Sequence, residues 1–511
     1  MTTRSLELER FRGVVERRFG LRYDDSRLGH LAEVLDRRLK ATRESAGAYL
    51  GRLDQRFGAA EEARLLAVEL TVSETYLFRN IEQFLALRDV ALPARMAARA
   101  ANRRLRMLSV GCASGDEAYS IAMLVRTLSE LDAWAVSIQG IDISKAALAK
   151  AVAARYSTWS LRETPDDLKR RFLRPEGRDF VLDPAIRSMV TFLEQNLVEP
   201  DEAFWQSESL DVVFCRNMLM YLAPEAARTV VSRIARSLVP GGFLYLGHAE
   251  TLRGLSRDFH IRHTHDTFYY QRKEEHETAG LVPVDGDDGR PLSEPAVPAA
   301  DDGSWVESIR LASERVEALT QVPIAAIALA NLGGVASATG GSGVRSGLVE
   351  AVELLRHERF NEAEATLDGV LEGAAKDPDV QLLRAALLVQ RGDLPHAEGV
   401  CEGILEDDDT NASAHYVMAL CREGAGALQS ALEHDRVAIH LDSTFAMPHL
   451  HLGLLARRAG DMAGARQELE SAIALLQRED PSRILLFGGG FGREALVGVC
   501  KAELARCESV A

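Results

Sequence analysis

The chain has 511 residues, 47% hydrophobic and 27% charged, which is the composition of a soluble globular protein and too long for a single hydrophobic core, so two or three domains are expected. Its net charge of −16 is concentrated late: residues 345–511 carry 16 Lys and Arg against 28 Asp and Glu, which argues against a nucleic-acid partner for that part. Charges interrupt residues 1–21 and no apolar run is long enough to span a bilayer, so a cytoplasmic protein without a signal peptide is expected. Cys112, Cys215, Cys401, Cys421, Cys500 and Cys507 form no CxxC pair, which points to reduced thiols rather than a zinc site or a disulfide framework.

Residues 5–70 read as helical. Phe11, Val14, Val15 and Phe19 share one face, Leu28, Leu31, Leu35 and Leu39 another, and Leu65, Leu66 and Leu70 continue the pattern. An all-α N-terminal domain over residues 1–85 is expected. Arg37, Arg38, Lys40 and Arg43 cluster near the end of the second helix. They read either as cations complementing a helix C-terminus on a solvated face, or as a docking surface for an acidic partner helix.

The segment LTVSETYLFRNIEQF, residues 70–84, places Ser73, Thr75, Tyr76 and Arg79 just before a helix. Then comes MLSVGCASGDEAYSIA, residues 107–122: a buried strand, a turn carrying Gly111 and Gly115, and a helix opening at Asp116. Free N–H groups at such a helix start suit an anionic group. A third glycine and a Gly-Lys-Ser/Thr pair are both missing, which disfavours phosphate. Asp116 and Glu117 would repel phosphate but could receive an ammonium beside a carboxylate, the head group of an amino acid such as S-adenosylmethionine carries. The next strand, VSIQGID, ends at Asp142, a position from which α/β nucleotide folds hold ribose hydroxyls.

A helix over 116–128, a strand over 135–141 and a helix over 144–155 with Ser144 as N-cap give βαβα order, hence a parallel sheet covered on both faces. Residues 160–192 alternate apolar and polar around Pro175 and Gly177, which predicts a small antiparallel insertion. The sheet resumes with strand 210–215, helix 224–238, a turn at Pro240-Gly241-Gly242, strand 243–247 and a last strand over 267–271. Ligands of open α/β sheets bind beyond the carboxyl ends of the strands, where Asn196, Arg216, Asn217 and Tyr221 fall together with Gly111 and Asp142.

Residues 5–272 resemble the CheR family, chemotaxis receptor protein-glutamate O-methyltransferases that use S-adenosylmethionine. The resemblance is carried by TYLFR at 75–79, GDEAYS at 115–120, IDIS at 141–144, Asn196-Leu197, FCRNMLMY at 214–221 and GHAE at 247–250. It implies a helical N-terminal domain followed by a Rossmann-like methyltransferase sheet over 86–272 with a small β-subdomain. It also implies roles by position. Thr75 and Arg79 contact cofactor or substrate near the transferred methyl, Glu117 takes the methionine amino group, and Asp142 the ribose. Asn196 and Leu197 bound the adenine, Arg216 and Asn217 the methionine end, and Tyr221 lines the reaction site. Three residues depart from the family pattern: Ser73 stands for an Asn, Asp116 for a Glu and Ala118 for a Pro. Ser73 keeps hydrogen-bonding capacity but reaches less far, which bears on cofactor affinity. The loop RPEGRDF at 174–180 is shorter than the one with which some members grip a receptor's C-terminal pentapeptide, so recognition without that tether is expected.

The chemistry suits these residues. A glutamate is ionised near neutral pH, with a pKa of about 4.3, and needs no general base. Arg79 could orient the carboxylate through paired N–H bonds and Tyr221 could wall the cation, although a junction ion pair and core packing would also account for the two side chains. His248, His260, His263 and His265 lack zinc spacing and read as structural or surface residues, so no metal is expected.

Residues 273–343, rich in Pro, Gly and Asp at their start, read as a flexible linker. Beyond it small residues recur every 34 positions, at Ala363, Ala397, Ala431 and Ala465 and at Ala351, Ala385, Ala419 and Gly453, with a third column at Val370, Ile404, Ala438 and Ala472. This spacing resembles the tetratricopeptide (TPR) family, an α-solenoid over 344–511 with a capping helix over 481–507. The FGGGFG at 487–492 reads as a cap turn rather than an anion loop. The chain is thus read as multidomain: a glutamate methyltransferase acting on chemoreceptors, peripheral to the membrane, joined to a module for a protein partner. A regulatory scaffold that binds the cofactor or its product S-adenosylhomocysteine without turnover, and a small-molecule O-methyltransferase, are the alternatives.

Overall fold

The computed structural model describes residues 3–55, 60–70, 75–274, 350, 354, 362, 366–367, 377–489 and 491–509. They belong to two compact units, one before and one after residue 280. Ser73, the residues beyond 274 in the linker and nearly all of the first expected repeat lie outside the described residues.

The first unit opens with four helices, α1 (Thr3–Phe19), α2 (Leu28–Thr42), α3 (Ala46–Asp54) and α4 (Ala60–Leu70). The apolar stripe of α1 is buried as expected: Phe11, Val14, Val15 and Phe19 pack with Leu31, Leu35, Tyr49, Leu66 and Leu70. Arg38 corrects the docking reading. Its guanidinium turns inward, 2.7 Å from Glu62 and 3.2 Å from Glu69, and only 12% of the side chain is exposed. Both carboxylates lie on α4, so the ion pairs lock α2 to α4, whereas Lys40 and Arg43 stay on the surface.

Gly20 ends α1 with φ +68°, and a Cβ there would stand 2.5 Å from Val198 Cγ1. This close approach lets the chain turn onto the sheet. Arg22 N donates to Tyr221 O (2.8 Å) and Ala223 N to Gly20 O (2.7 Å), which docks the helical domain beyond the strand ends.

Helices α5 (Ile81–Ala86) and α6 (Leu92–Ala98), joined by a π-turn, lead to β1 (Arg104–Val110) and α7 (Asp116–Val125). Next come β2 (Ala135–Asp142), α8 (Lys145–Ala153), β3 (Arg155–Ser157), α9 (Asp166–Phe172), β4 (Leu173–Glu176), β5 (Asp179–Leu182), α10 (Pro184–Arg187) and β6 (Val190–Glu194). The unit closes with β7 (Leu210–Cys215), α11 (Pro224–Ser237), β8 (Leu238–Leu246), β9 (Phe259–Thr264) and β10 (Thr267–Arg272). Ser144 caps α8 as expected, accepting from Ala147 N.

The main sheet has seven strands in the order β6-β2-β1-β7-β8-β10-β9. The first five are parallel and β10 and β9 form an antiparallel edge. Three expectations change. Val190–Glu194, read as part of the insertion, is an edge strand of the main sheet paired in parallel with β2. Apolar-polar alternation reports one covered face and is silent on the direction of the partner strand. The small antiparallel sheet is β3-β5-β4 alone. Pro240-Gly241-Gly242 is no turn between elements but a bulge inside β8, where the register jumps from Leu210↔Leu238 to Val212↔Phe243. Under the sheet, Phe84, Phe214, Tyr245 and Tyr269 stack with successive centroids 5.7, 4.4 and 5.4 Å apart.

In the second unit the helices are α12 (Pro378–Gln390), α13 (Leu394–Asp407), α14 (Ala412–Gly424), α15 (Leu428–Leu441), α16 (Ala446–Arg458) and α17 (Met462–Leu476), followed by α18 (Pro481–Phe487) and α19 (Arg493–Ser509). Corresponding helix starts repeat at the period read from the small residues, and those residues are buried: Ala385, Ala397, Ala419, Ala431, Ala438, Ala465 and Ala472 are inaccessible. At Gly453 a Cβ would stand 2.7 Å from Leu469 Cγ, so helices α16 and α17 approach only because that position is empty. The capping segment is two helices rather than one, broken at the glycines after Phe487. No described helix is long and apolar enough to cross a membrane.

A buried ionic cluster crosses the repeats. His451, fully buried, holds Asp435 at 2.7 Å and Glu423 at 3.1 Å, and Arg458 also reaches Glu423. Burial alone would lower the His451 pKa, but the two carboxylates override it and raise it to about 9. Burial would raise Glu423, yet His451 and Arg458 bring it down to about 2. An unfolded histidine titrates near 6.5, so the contribution of His451 to stability is full below that pH and is lost as pH rises through 9. Thermal melts of the chain between pH 6 and 10 should show the repeat unit losing stability above pH 7. His451→Gln should cost on the order of 3–5 kcal/mol at pH 6, by taking the cation from the buried Asp435 carboxylate, and should flatten that pH dependence.

Candidate active site

A cavity of about 450 Å³ opens beyond the carboxyl ends of β1, β2 and β7. Its wall contains Thr75, Arg79, Gly111, Glu117, Asp142, Asn196, Leu197, Arg216, Asn217 and Tyr221, every described residue expected from the sequence to act in catalysis or cofactor binding. The basic residues of α2 do not line it. Phe19, Leu21 and Ala67 of the helical domain do, so that domain roofs the cavity.

The turn after β1 is built on left-handed backbone. Gly111 has φ +68°, Ala113 +45° and Gly115 +82°, and Gly115 is the N-cap of α7. A Cβ on Gly111 would stand 2.6 Å from Met218. Asp142 braces this turn from β2: one oxygen accepts from Ala113 N (2.9 Å), the other from Ser144 N (2.8 Å). Burial raises its pKa and these N–H bonds oppose the rise.

Arg216 is the hub of the floor. Its Nε lies 2.8 Å from Glu117 Oε2, and its Nη1 donates to Arg79 O (2.7 Å) and Gln83 Oε1 (2.9 Å). Ser109 Oγ donates to the other Glu117 oxygen (2.7 Å). Burial pushes the Glu117 carboxyl up and the Arg216 guanidinium down, each opposed by the other's charge. Arg79 sits between two left-handed residues, Phe78 (φ 56°) and Asn80 (φ 61°), and Phe78 N is anchored on Ser120 Oγ (2.8 Å). Such strain at non-glycine positions persists only where the surroundings over-determine it. Beside Arg79, the Arg162 guanidinium stacks 3.4 Å from the Tyr76 ring centre and 3.6 Å from that of Trp159.

Several contributors were not singled out in the sequence. Glu250 of GHAE is buried; its Oε2 accepts from Asn217 N (2.6 Å) and Gly247 N (2.8 Å), and its Oε1 from Met220 N (3.2 Å). It therefore shapes the whole FCRNMLMY loop. Gln83, one helical turn after Arg79, bridges Arg216 to Leu246 O (2.7 Å). Asn196 lines the cavity, but its amide is spent on Arg18 O (3.1 Å) and Glu199 (3.2 Å), tying the loop after β6 to α1.

Residues 73–268 match the CheR methyltransferase SAM-binding domain, and residues 354–421 a tetratricopeptide repeat. A chemotaxis protein methyltransferase of Pseudomonas putida is 30% identical over 284 residues, 53% of this chain and 100% of that one. The chain belongs to the CheR methyltransferase family. Chemotaxis protein methyltransferase 2 of Vibrio cholerae is 32% identical over 268 residues, covering 51% of this chain and 91% of that one. The probable biofilm formation methyltransferase WspC of Pseudomonas putida is 27% identical over 470 residues, covering 91% and 97%.

This CheR-family chain is an S-adenosyl-L-methionine-dependent methyltransferase. The donor set fits that cofactor: one Asp142 oxygen spends a lone pair on the turn and the other on Ser144 N, each keeps a second able to accept from a diol, and the volume is that of a nucleoside-sized ligand site. Glu250 gives a direct test of how the CheR-family pocket is held. In Glu250→Gln an NH2 must face one of three backbone N–H donors, so a buried donor is left unmatched at a cost of about 1–3 kcal/mol. Calorimetry should show a lower melting temperature and cofactor affinity reduced about tenfold, with no change in the repeat unit.

Proposed function

We propose that the chain methylates glutamate side-chain carboxylates of methyl-accepting chemoreceptors in the cytoplasm, giving glutamate methyl esters. The observation that carries this reading is the convergence of Arg79, Glu117, Asp142, Arg216, Asn217 and Tyr221 on one cavity roofed by the helical domain. When bound, S-adenosyl-L-methionine supplies an electrophilic sulfonium methyl and leaves as S-adenosyl-L-homocysteine.

The protein's task is then placement. A carboxylate oxygen needs no proton removed, so catalysis reduces to aiming it in line and excluding water. Arg79, its backbone fixed by Arg216 and by the Phe78–Ser120 bond, presents a planar cation for a substrate carboxylate. The Tyr221 ring walls the methyl side, where an aromatic face favours positive charge. Glu117 and Asp142 would receive the ammonium and ribose of the cofactor, Leu197 the adenine, Thr75 and Asn217 the methionine end. Ser73 and Gly111 complete the assignment.

Arg37 and Lys40 on α2, with Arg43 at its C-cap, would meet an acidic receptor helix outside the cavity. Arg38 is withdrawn from that surface by its ion pairs. The TPR module would hold a protein partner and raise the local concentration of the enzyme there.

Labelled methyl from S-adenosyl-L-methionine should enter chemoreceptor-containing membranes and be released by alkali. Arg79→Ala should lower turnover at least 100-fold. Asp142→Asn should instead weaken cofactor binding about tenfold, a loss of about 1.4 kcal/mol. Cofactor binding with no base-labile label on any receptor would overturn the reading in favour of a scaffold.

A further inference from the structure

The segment after the last repeat does not extend the array. A further repeat contacts only its neighbour. Helix α19 does this, packing on α17 and placing Glu503 2.6 Å from Arg457 of α16. Helix α18 instead reaches back across the unit. Gln390 Nε2, at the end of α12, donates to Leu486 O (3.1 Å), and Tyr416 OH, on α14, donates to Phe487 O (3.1 Å). The Phe487 ring meets Tyr416 edge-on at 6.0 Å and Phe445, the residue before α16, at 5.3 Å.

Two consecutive residues therefore touch the first helix, or its cap, of all three described repeats. Only a segment lying along the face that α12, α14 and α16 share can do so. The contacts are dry: Gln390 is 4% exposed, Tyr416 0%, Ile484 1% and Phe487 3%. The segment leaves through Gly488, where a Cβ would be 2.5 Å from Ile484 O, and Gly489 with φ +64°. It is held at its entry by Arg483, which pairs with Asp442 at 2.8 Å and covers the Phe445 ring at 3.8 Å.

We propose that Pro481–Phe487 is a built-in ligand of the repeat groove, and that the external partner of this groove is a peptide bearing an aliphatic-aromatic pair that takes the place of Leu486-Phe487. Both polar grips hold main-chain carbonyls, which every peptide carries, and the ring pocket of Tyr416 and Phe445 supplies the selectivity. The glycines after Phe487 let the segment leave while α17 and α19 keep their packing. Because the tether gives the built-in ligand an effective concentration of roughly millimolar, a partner must bind tightly or arrive at high local concentration. The proposal rests on the reading of the repeats as a protein-interaction module and is independent of methyl transfer.

The test uses the full chain and a fluorescent synthetic peptide of residues 480–492. Phe487→Ala empties the ring pocket and should bind the peptide at least tenfold more tightly than the native chain, and adding Tyr416→Phe should reverse the gain. A peptide with alanine in place of its first phenylalanine should not bind. Should Phe487→Ala fail to fold, Gln390→Ala with Tyr416→Phe loosens only the carbonyl grips. Amide exchange over 484–489 should then quicken at least tenfold with α19 unchanged. A folded Phe487→Ala chain that binds no better than the native one, or equal exchange in the double variant, would overturn the proposal.

Discussion

The methyltransferase unit depends on one buried cation. Arg216 stands at the end of β7 with its side chain almost fully enclosed, and a charge in that position is tolerable only if every neighbour is arranged to meet it. Glu117 meets it from α7, and the Arg79 carbonyl and Gln83 from the segment entering the sheet. Two stretches far apart from β7 in sequence are thereby fixed to one planar group. A lysine would keep the charge but not the fork that reaches all three partners. From Gln83 the constraint passes to the end of β8, and Glu250 closes the circuit by holding the loop that carries Asn217 and Met220.

Backbone strain shows what the circuit does. Phe78, Asn80, Ala113 and Asn217 all have positive φ and all lie on or beside the cavity. Each left-handed non-glycine residue costs on the order of 1 kcal/mol or more, and is kept only where other bonds outweigh it. Here those bonds are Phe78 N to Ser120, Ala113 N to Asp142 and Asn217 N to Glu250. These bonds hold the walls without help from a ligand, and the proposed transfer to an already ionised carboxylate would need that, since alignment rather than proton transfer is what would remain to be supplied.

Much of this was legible because its causes are local. A strand, a glycine turn and a helix start lie within a dozen residues, so Gly111 and Glu117 are legible from spacing, Asp142 as the acid that ends the next strand, and the repeats from a fixed period. What sequence hid was direction and partnership. The alternation in Val190–Glu194 marks a covered face but not the parallel neighbour β2 that covers it. Arg38 reads as one more surface cation because Glu62 and Glu69, which bury it, are on another helix. Glu250 lay inside a recognised motif, yet its work is on a loop some thirty residues away. Asn196 was placed at the right wall, but nothing in Asn-Leu says that its amide turns outward to α1.

The two units treat buried charge in opposite ways, and this separates their roles. In the repeats, His451, Asp435, Glu423 and Arg458 pair with one another inside a closed core, out of reach of a ligand. In the methyltransferase unit the same kind of cluster lines an open cavity, and Glu117 and Asp142 keep lone pairs after their internal bonds are made. Reactive chemistry belongs where charge is fixed but unsaturated. Where charge is sealed away, the groups that reach the α18 carbonyls are an amide and a phenol, which suit gripping peptide backbone.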